Sequence, residues 1–370
     1  MNETLRIATI YRRDFFRSFI PCDMATTRWL KISENLAARG FKVDMIVNTN
    51  AGLVQKTSNL RFVPYSEVEW HRYDVIKTLF HRGFDSLCRE GKDDHPFIIS
   101  KLGSVVGNHD GVEGVHFFGR ERDELFETQK KINQKSRYIT ILTEPSRCLW
   151  EAEFGKKTNL LLVPTGVDRE VPPPGSNPYG AGKEKIAVYI GNLYDNTQRS
   201  INLLWQTKLN ILGTLLKKKG IRLCVVGPGD VGQIDPNGVT YLGPVDNSRV
   251  WDYQYFANAG VALAQGKIQH NESSKIYYYL RTGLPVVSEA PIPNNHLIKE
   301  ANLGLIANYM DHEEMAEMIA EAVHKKWRNE EAIKYMLNYH TWDRRAETYD
   351  RVIKSAFRNS LKQPADLLSF

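Results

Sequence analysis

Hydrophobic and polar positions alternate along this chain in two successive series, each of short apolar runs followed by amphipathic stretches. The first run, Leu5-Arg6-Ile7-Ala8-Thr9-Ile10-Tyr11, predicts a strand; a helical period over 25–39 stops at Gly40, a helix C-cap signal. Phe41–Val47 predicts the second strand, and further strands are expected near 60–64, 73–78, 97–102, 138–142 and 160–163. Helices are expected near 80–90, 118–135 and 145–154 between them. The stretch 171–184 (VPPPGSNPYGAGKE) breaks the alternation: three consecutive prolines stiffen it and its glycines permit a hinge, so it reads as an inter-domain linker.

After that linker the alternation resumes. Strands are expected at 185–190, 221–226, 239–242, 259–264 and 284–288, with helices near 201–219, 246–257, 274–282, 311–327 and 342–358. Short strands alternating with helices of this length predict parallel, doubly wound sheets. The expected fold class is α/β with two Rossmann-like units facing a cleft. Residues 1–170 form one unit, 171–184 the linker and 185–345 the second unit. Residues 346–370 form a terminal helix and tail that pack back toward the first unit. Ligands of such sheets sit beyond the carboxyl ends of the strands.

Length and charge narrow the picture. The chain has 370 residues, too many for one ordinary core, and a formal charge of +6. That mild excess suits an anionic substrate or an acidic membrane surface. With no recognition-helix motif and no long basic run, nucleic acid is not an expected partner. The N-terminus lacks the apolar core of a signal peptide, and no stretch approaches the roughly 18 apolar residues that span a bilayer. The expected location is cytoplasmic, with a peripheral seat on the inner membrane face as the variant. Four cysteines (Cys22, Cys88, Cys148, Cys224) show no C-x-x-C spacing, and ten histidines show no ligand spacing, so neither zinc nor another metal is expected.

The chemistry concentrates in His270-Asn271-Glu272-Ser273-Ser274-Lys275-Ile276-Tyr277-Tyr278-Tyr279-Leu280-Arg281-Thr282-Gly283-Leu284-Pro285-Val286-Val287. It reads as loop, helix start, short helix, glycine stop and strand. Ser273 or Ser274 is a good N-cap. The free N–H groups there, with the helix dipole, make an anion site suited to a diphosphate. Lys275 in the first turn opposes the dipole, which makes sense beside a bound anion; an ordinary helix–strand connection with a solvated Lys275 is the bland alternative.

This segment resembles the donor-site signature of GT-B glycosyltransferases, in the form SSKxxxYxxxGxPVV, and is similar to family 4 and related bacterial polysaccharide enzymes. Other pieces fall in family order: Val163–Asp168, Ile190-Gly191-Asn192-Leu193, Val226-Gly227-Pro228-Gly229, Tyr241–Val245 and His340-Thr341-Trp342-Asp343. The resemblance implies a nucleotide sugar as substrate, UDP- or GDP-linked, with no cofactor and no catalytic metal. It implies a glycan or lipid-linked acceptor in surface polysaccharide synthesis. It assigns the donor to Gly191, Asn192, Gly227, Gly229, Glu272, Ser273, Ser274, Lys275 and Tyr278. Retaining family 4 members carry two glutamates where this chain has His270 and Tyr278. In that respect, and in Glu272-Ser273-Ser274-Lys275, the chain resembles the inverting β-glucuronosyltransferase of xanthan assembly. That enzyme's base lies in an S-D-G run, which here implies Asp110.

Inverting transfer needs a base for the acceptor hydroxyl. The loop after the strand 97–102 combines glycines with His109, Asp110 and Glu113. Asp110 is the first choice, His109 the second, Glu113 the third; a solvated polar turn is the alternative. Tyr11–Ile20 mixes arginines with aromatics, placing Arg12 and Arg13 on the acceptor side or against a membrane surface. Two competing readings are a GT-B sugar-nucleotide epimerase and a non-catalytic nucleotide-sugar-binding protein.

Overall fold

The structure is a computed structural model, and it describes residues 4–11, 23–48, 52–108, 119–193 and 199–360. Its first half runs β1 (Arg6–Ile10), α1 (Met24–Ala38), β2 (Lys42–Val47), β3 (Val54–Thr57), β4 (Leu60–Pro64), β5 (Val75–Leu79), α2 (Phe80–Arg89), β6 (Ile98–Lys101), α3 (Gly119–Lys135), β7 (Tyr138–Ile141), α4 (Glu144–Phe154) and β8 (Leu160–Leu162). The sheet order is β3-β4-β2-β1-β5-β6-β7-β8, parallel except for the β3–β4 pair. Side-chain alternation divides its residues between two covered faces, as a buried parallel sheet requires. Ile7, Val43, Met45 and Val75 join α1 on one side; Ala8, Ile10, Ile46 and Ile76 join α2 and α4 on the other.

Local chemistry explains the element boundaries. Asp23 caps α1: the Thr26 N–H donates to its Oδ1 at 2.7 Å, and the Asp23 N–H donates to Thr26 Oγ1 at 3.1 Å. Each such cap is worth about 1 kcal/mol.

The second half runs β9 (Lys185–Ile190), α5 (Arg199–Lys218), β10 (Ile221–Val226), β11 (Val239–Tyr241), α6 (Val250–Tyr255), β12 (Ala259–Ala262), α7 (Ser274–Arg281), β13 (Val286–Glu289), α8 (His296–Glu300), β14 (Gly304–Ala307), α9 (His312–His324), α10 (Asn329–Tyr339) and α11 (Trp342–Ser360). Its sheet, β11-β10-β9-β12-β13-β14, is parallel throughout. Val188, Val226 and Val286 point to one core, Ala187, Val225 and Val287 to another. Four elements lie beyond those the sequence predicts: β3, α8, β14 and α10. The two strands are four residues long, and β3 is an exposed edge, so neither offers a clear period.

The chain passes between the halves twice at one place. The Val167 N–H donates to His340 O at 2.8 Å, and the Trp342 N–H donates to Val167 O at 3.0 Å. Gly166 lies against the Trp342 ring, where a Cβ would meet ring carbon at 2.7 Å. Beyond this crossing α11 returns to the first half: Tyr349 and Ile353 enter its core, and the Tyr349 hydroxyl bonds Thr140 Oγ1 at 3.1 Å. The Pro/Gly stretch 171–184 has no helix or strand and is fastened to the second half. Its Gly175 N–H donates to Asp252 Oδ1 at 2.7 Å, and the Tyr179 hydroxyl donates to Tyr253 O at 2.7 Å. No helix among the described residues is long and apolar enough to cross a membrane.

Candidate active site

Between the carboxyl ends of the two sheets lies a cavity of about 390 Å³. Such a volume is in the range of small-molecule sites. One wall is the start of α7. Ser273 occupies the N-cap with extended backbone (φ −97°, ψ 115°), yet its side chain makes no cap bond. Instead Asn294 holds the loop: the Ser273 N–H donates to Asn294 Oδ1 at 2.8 Å, and Asn294 Nδ2 donates to Ser273 O at 2.9 Å. The first turn of α7 contains no acidic residue, and its N–H groups receive no side-chain acceptor. Ser273, Ser274 and Lys275 all line the cavity.

Lys275 is the sharpest feature of this wall. Its stem crosses the glycine turn after β9, so that a Cβ on Gly191 would lie 2.6 Å from Lys275 Cε and 2.7 Å from Nζ. Nζ sits 4.6 Å from the centre of the Tyr189 ring. Burial depresses its ammonium to about 8. A half-buried cation at a helix N-terminus, with no carboxylate in that first turn and no ion pair among the described residues, is placed for an anion.

The glycine turns explain themselves by crowding. A Cβ on Gly227 would lie 2.1 Å from Gly191 O, and Gly227 has φ +142°. The Gly191 N–H donates to Val226 O and the Gly227 N–H to Gly243 O, both at 2.9 Å. The turns Gly191-Asn192 and Gly227–Gly229 therefore lie side by side beyond β9 and β10, with Gly229 also at positive φ (+140°) and Asn192 exposed.

Glu272 has a different setting from its serine neighbours. Its Oε1 accepts from the Thr165 N–H at 2.7 Å, from the Thr165 hydroxyl and from Arg28 Nη2 at 3.4 Å. Its Oε2 accepts from the Tyr277 hydroxyl at 2.9 Å. The carboxylate lies on the cavity wall but is already shared by groups from both halves. Tyr278, the other expected donor residue, packs its ring 5.5 Å from Trp251 and is not among the residues lining the cavity. Burial pushes its phenol far upward, so it acts there as an apolar ring with a hydroxyl. His270 is not among the residues lining the cavity either: its carbonyl accepts from Thr143 and from Ser146 Oγ at 3.0 Å, and burial lowers its imidazole.

Several cavity residues escape a reading of the sequence. Asn271 donates through Nδ2 to Ser104 Oγ at 2.9 Å, across the cleft, and its Oδ1 is buried with no partner among the described residues. Arg28 of α1 and the pair His81-Arg82 at the start of α2 complete the opposite wall. A usable signal exists for His81 and Arg82, since they follow directly the carboxyl end of a predicted strand. Arg28 gives none: it lies inside an amphipathic helix and reads as an ordinary interior position.

Gly103 and Ser104 bring the loop after β6 to the cavity. Gln129 pins its next residues, accepting from the Val106 N–H at 2.9 Å and donating to Val106 O at 2.8 Å. His109, Asp110 and Glu113, further along the loop, lie outside the described residues, as do Arg12 and Arg13. Among the described residues no three His, Cys, Asp or Glu side chains group as a metal site would need.

No protein-family model and no curated protein sequence matches the chain. Solved structures do. The sucrose-phosphate synthase of Thermosynechococcus elongatus superposes with a TM-score of 0.69 at 12% identity, over 96% of this chain and 100% of that one. HepE of Anabaena, solved with UDP and glucose, gives 0.69 at 11% identity, over 95% and 100%. WaaG, a glycosyltransferase involved in lipopolysaccharide biosynthesis, gives 0.57 at 15% identity, over 93% and 95%. Two facing parallel sheets, a cleft at their carboxyl ends and a last helix that returns to the first half are thus the GT-B fold of glycosyltransferases.

Proposed function

We propose that this protein is a glycosyltransferase that moves a sugar from a nucleotide donor to a glycan or lipid-linked acceptor in surface-glycan synthesis. The observation that carries this reading is the start of α7. Lys275 and N–H groups without a side-chain cap face the cavity beside two crowded glycine turns, which leaves room for a diphosphate to approach backbone closely. The complex of HepE with UDP and glucose favours a UDP-linked donor. Lys275 and the helix amides would stabilise the departing diphosphate, the place where charge develops.

The base would come from the opposite half. Asp110 is the first candidate, followed by His109 and Glu113, on the loop whose opening residues Gly103 and Ser104 reach the cavity. Neither His270 nor Tyr278 lines the cavity, in keeping with a transfer that does not rely on a glutamate pair. Arg12 and Arg13 are proposed for the acceptor side or for contact with the inner membrane face. The test is calorimetry against a panel of UDP- and GDP-sugars, followed by product analysis with lipid-linked acceptors. Micromolar binding of one nucleotide sugar and a glycosylated acceptor are expected. Failure of every nucleoside diphosphate to bind at millimolar concentration would refute the reading. Epimerised donor without acceptor would replace it by isomerisation.

A further inference from the structure

A second cavity, of about 240 Å³, lies at the end of the second sheet opposite the cleft, where β12 and β13 begin. It has room for one small ring, less than the usual drug-sized site. Three helices finish on it: Gln254 and Tyr255 close α6, Thr282 follows α7, and Lys325 follows α9. Helix carboxyl ends present carbonyls and partial negative charge. α10 starts at the rim with Asn329, and Glu330 and Glu331 in its first turn answer its positive end.

One lining side chain is left half-paired. Gln254 is 3% exposed. One end of its carboxamide rests on the Thr282 hydroxyl at 3.4 Å, and that hydroxyl donates to Tyr279 O at 2.9 Å. The other end makes no hydrogen bond among the described residues, yet it is not sealed from solvent. A half-paired buried carboxamide costs the fold free energy until a ligand or solvent completes it. Asn258 adds to the same wall. Its Oδ1 accepts from the Ile186 N–H at 2.9 Å, which orients the amide and leaves Nδ2 without a partner among the described residues. Trp327 supplies an indole, fixed by its Nε1 donating to Ala322 O at 2.9 Å. Lys325 is the only Lys, Arg, Asp or Glu in the lining among the described residues. It is exposed, pairs with Glu321 at 3.2 Å and holds Nζ 4.4 Å from the Trp327 ring centre.

These groups select a ligand by its chemistry. An anion would face three helix carboxyl ends. A cation would meet Lys325 and leave the carboxamide N–H groups without an acceptor. Hydroxyl groups both donate to carbonyls and accept from carboxamides, and the apolar face of a sugar ring suits an indole. We infer that this cavity binds a neutral sugar unit of a glycan, outside the transfer cleft. The inference takes from the functional reading only that the protein works on glycans. α7 separates the two sites, with Ser274 and Lys275 at one end and Thr282 beyond the other, roughly 12 Å along its axis.

The full chain is titrated with the methyl glycosides of glucose, galactose and mannose by ligand-observed NMR, with UDP present. One of them should saturate with a Kd of about 1 mM or a few times that, as a ligand of this size allows. Its 2-amino and uronic-acid counterparts should bind at least about tenfold more weakly. Gln254→Met keeps the volume and removes the amide; it should melt no lower than the wild type and weaken the glycoside about tenfold or more. If it melts lower, Asn329→Ala takes its place with the same expected weakening, since Asn329 is exposed and its side chain makes no hydrogen bond among the described residues. Lys275→Met should leave the glycoside's affinity unchanged. Absence of saturation by every neutral glycoside, equal binding of the charged sugars, unchanged affinity in the folded variant, or loss of the glycoside in Lys275→Met overturns the inference. If UDP fails to bind while the glycoside still depends on Gln254, the donor reading falls and this site stands.

Discussion

Replacing Lys275 by Met separates what the ammonium does for a ligand from what it does for the fold. Met keeps an unbranched stem over Gly191 and Tyr189 and removes only the charge. A charge-assisted hydrogen bond to a diphosphate is worth about 1.5–3 kcal/mol. At about 1.4 kcal/mol per decade, Lys275→Met should weaken UDP binding roughly 10- to 150-fold. Stability should move the other way. Burial lowers the folded pKa to about 8 from 10.5, so the unfolded chain holds the proton more tightly between those values. Stability therefore rises with pH across that window, and below it the folded protein carries the full cost of a buried cation. At pH 7 the Met variant escapes that cost and should melt higher. The wild-type affinity for UDP should be level below pH 8 and fall above it, by up to about tenfold per unit, while the Met variant shows no such decline. Calorimetry at pH 7, 8 and 9 and a melting curve at pH 7 make the assay. Equal UDP affinity for both proteins, or a lower melting temperature for the variant, would refute the reasoning.

Three further outcomes follow. Gly227→Ala places a Cβ 2.1 Å from Gly191 O at φ +142°; thermal unfolding should show a loss of about 1–3 kcal/mol, and UDP titration a weakened site. Glu272→Ala leaves Arg28 buried without its carboxylate and removes the acceptor of Thr165 and Tyr277. Denaturant titration should show a loss of about 3–5 kcal/mol, and a loss under 1 kcal/mol would show that this contact is not a latch. Asp110→Asn keeps the shape of the loop and removes its basicity; turnover should fall at least ~100-fold with donor affinity nearly unchanged, and wild-type turnover would pass the role of base to His109 and then Glu113.

How far the sequence carries can be argued element by element. Most strands of both sheets read clearly because they are buried on both faces and bounded by turn residues, as with Ile221–Val226 before Gly227, whereas the exposed edge strand β3 and the half-buried β14 do not. α10 is not legible, since only Ala332 and Met336 are buried and its other apolar side chains, Ile333, Tyr335, Leu337 and Tyr339, spread over partly or fully exposed positions. Ser273, Ser274 and Lys275 were legible because an N-cap, a cation against the dipole and a glycine stop are local features. Glu272 is assigned to the donor only by the resemblance of Glu272-Ser273-Ser274-Lys275 to a donor signature. Its actual partners, Thr165 and Arg28, are 107 and 244 residues away, and no local pattern encodes them. Tyr278 shows the limit of helical spacing: three residues from Lys275, it nonetheless turns toward Trp251. The hinge expected at 171–184 meets a stretch bonded to one half, whereas the backbone crosses between halves at Val167 and Thr341.

The return of α11 has a consequence for biosynthesis. Trp342, Ala346, Tyr349 and Ile353 share a core with Trp29, Leu36, Phe41 and Phe97. During translation, everything up to β8 has left the ribosome long before those four side chains exist. The nascent first half must wait with an apolar face uncovered while the whole second half is made. Contacts between residues more than 200 positions apart, such as Thr140 with Tyr349, also form slowly. The first half thus cannot complete its core until α11 is made, and the waiting surface around α1 is where chaperone capture and premature self-association would begin.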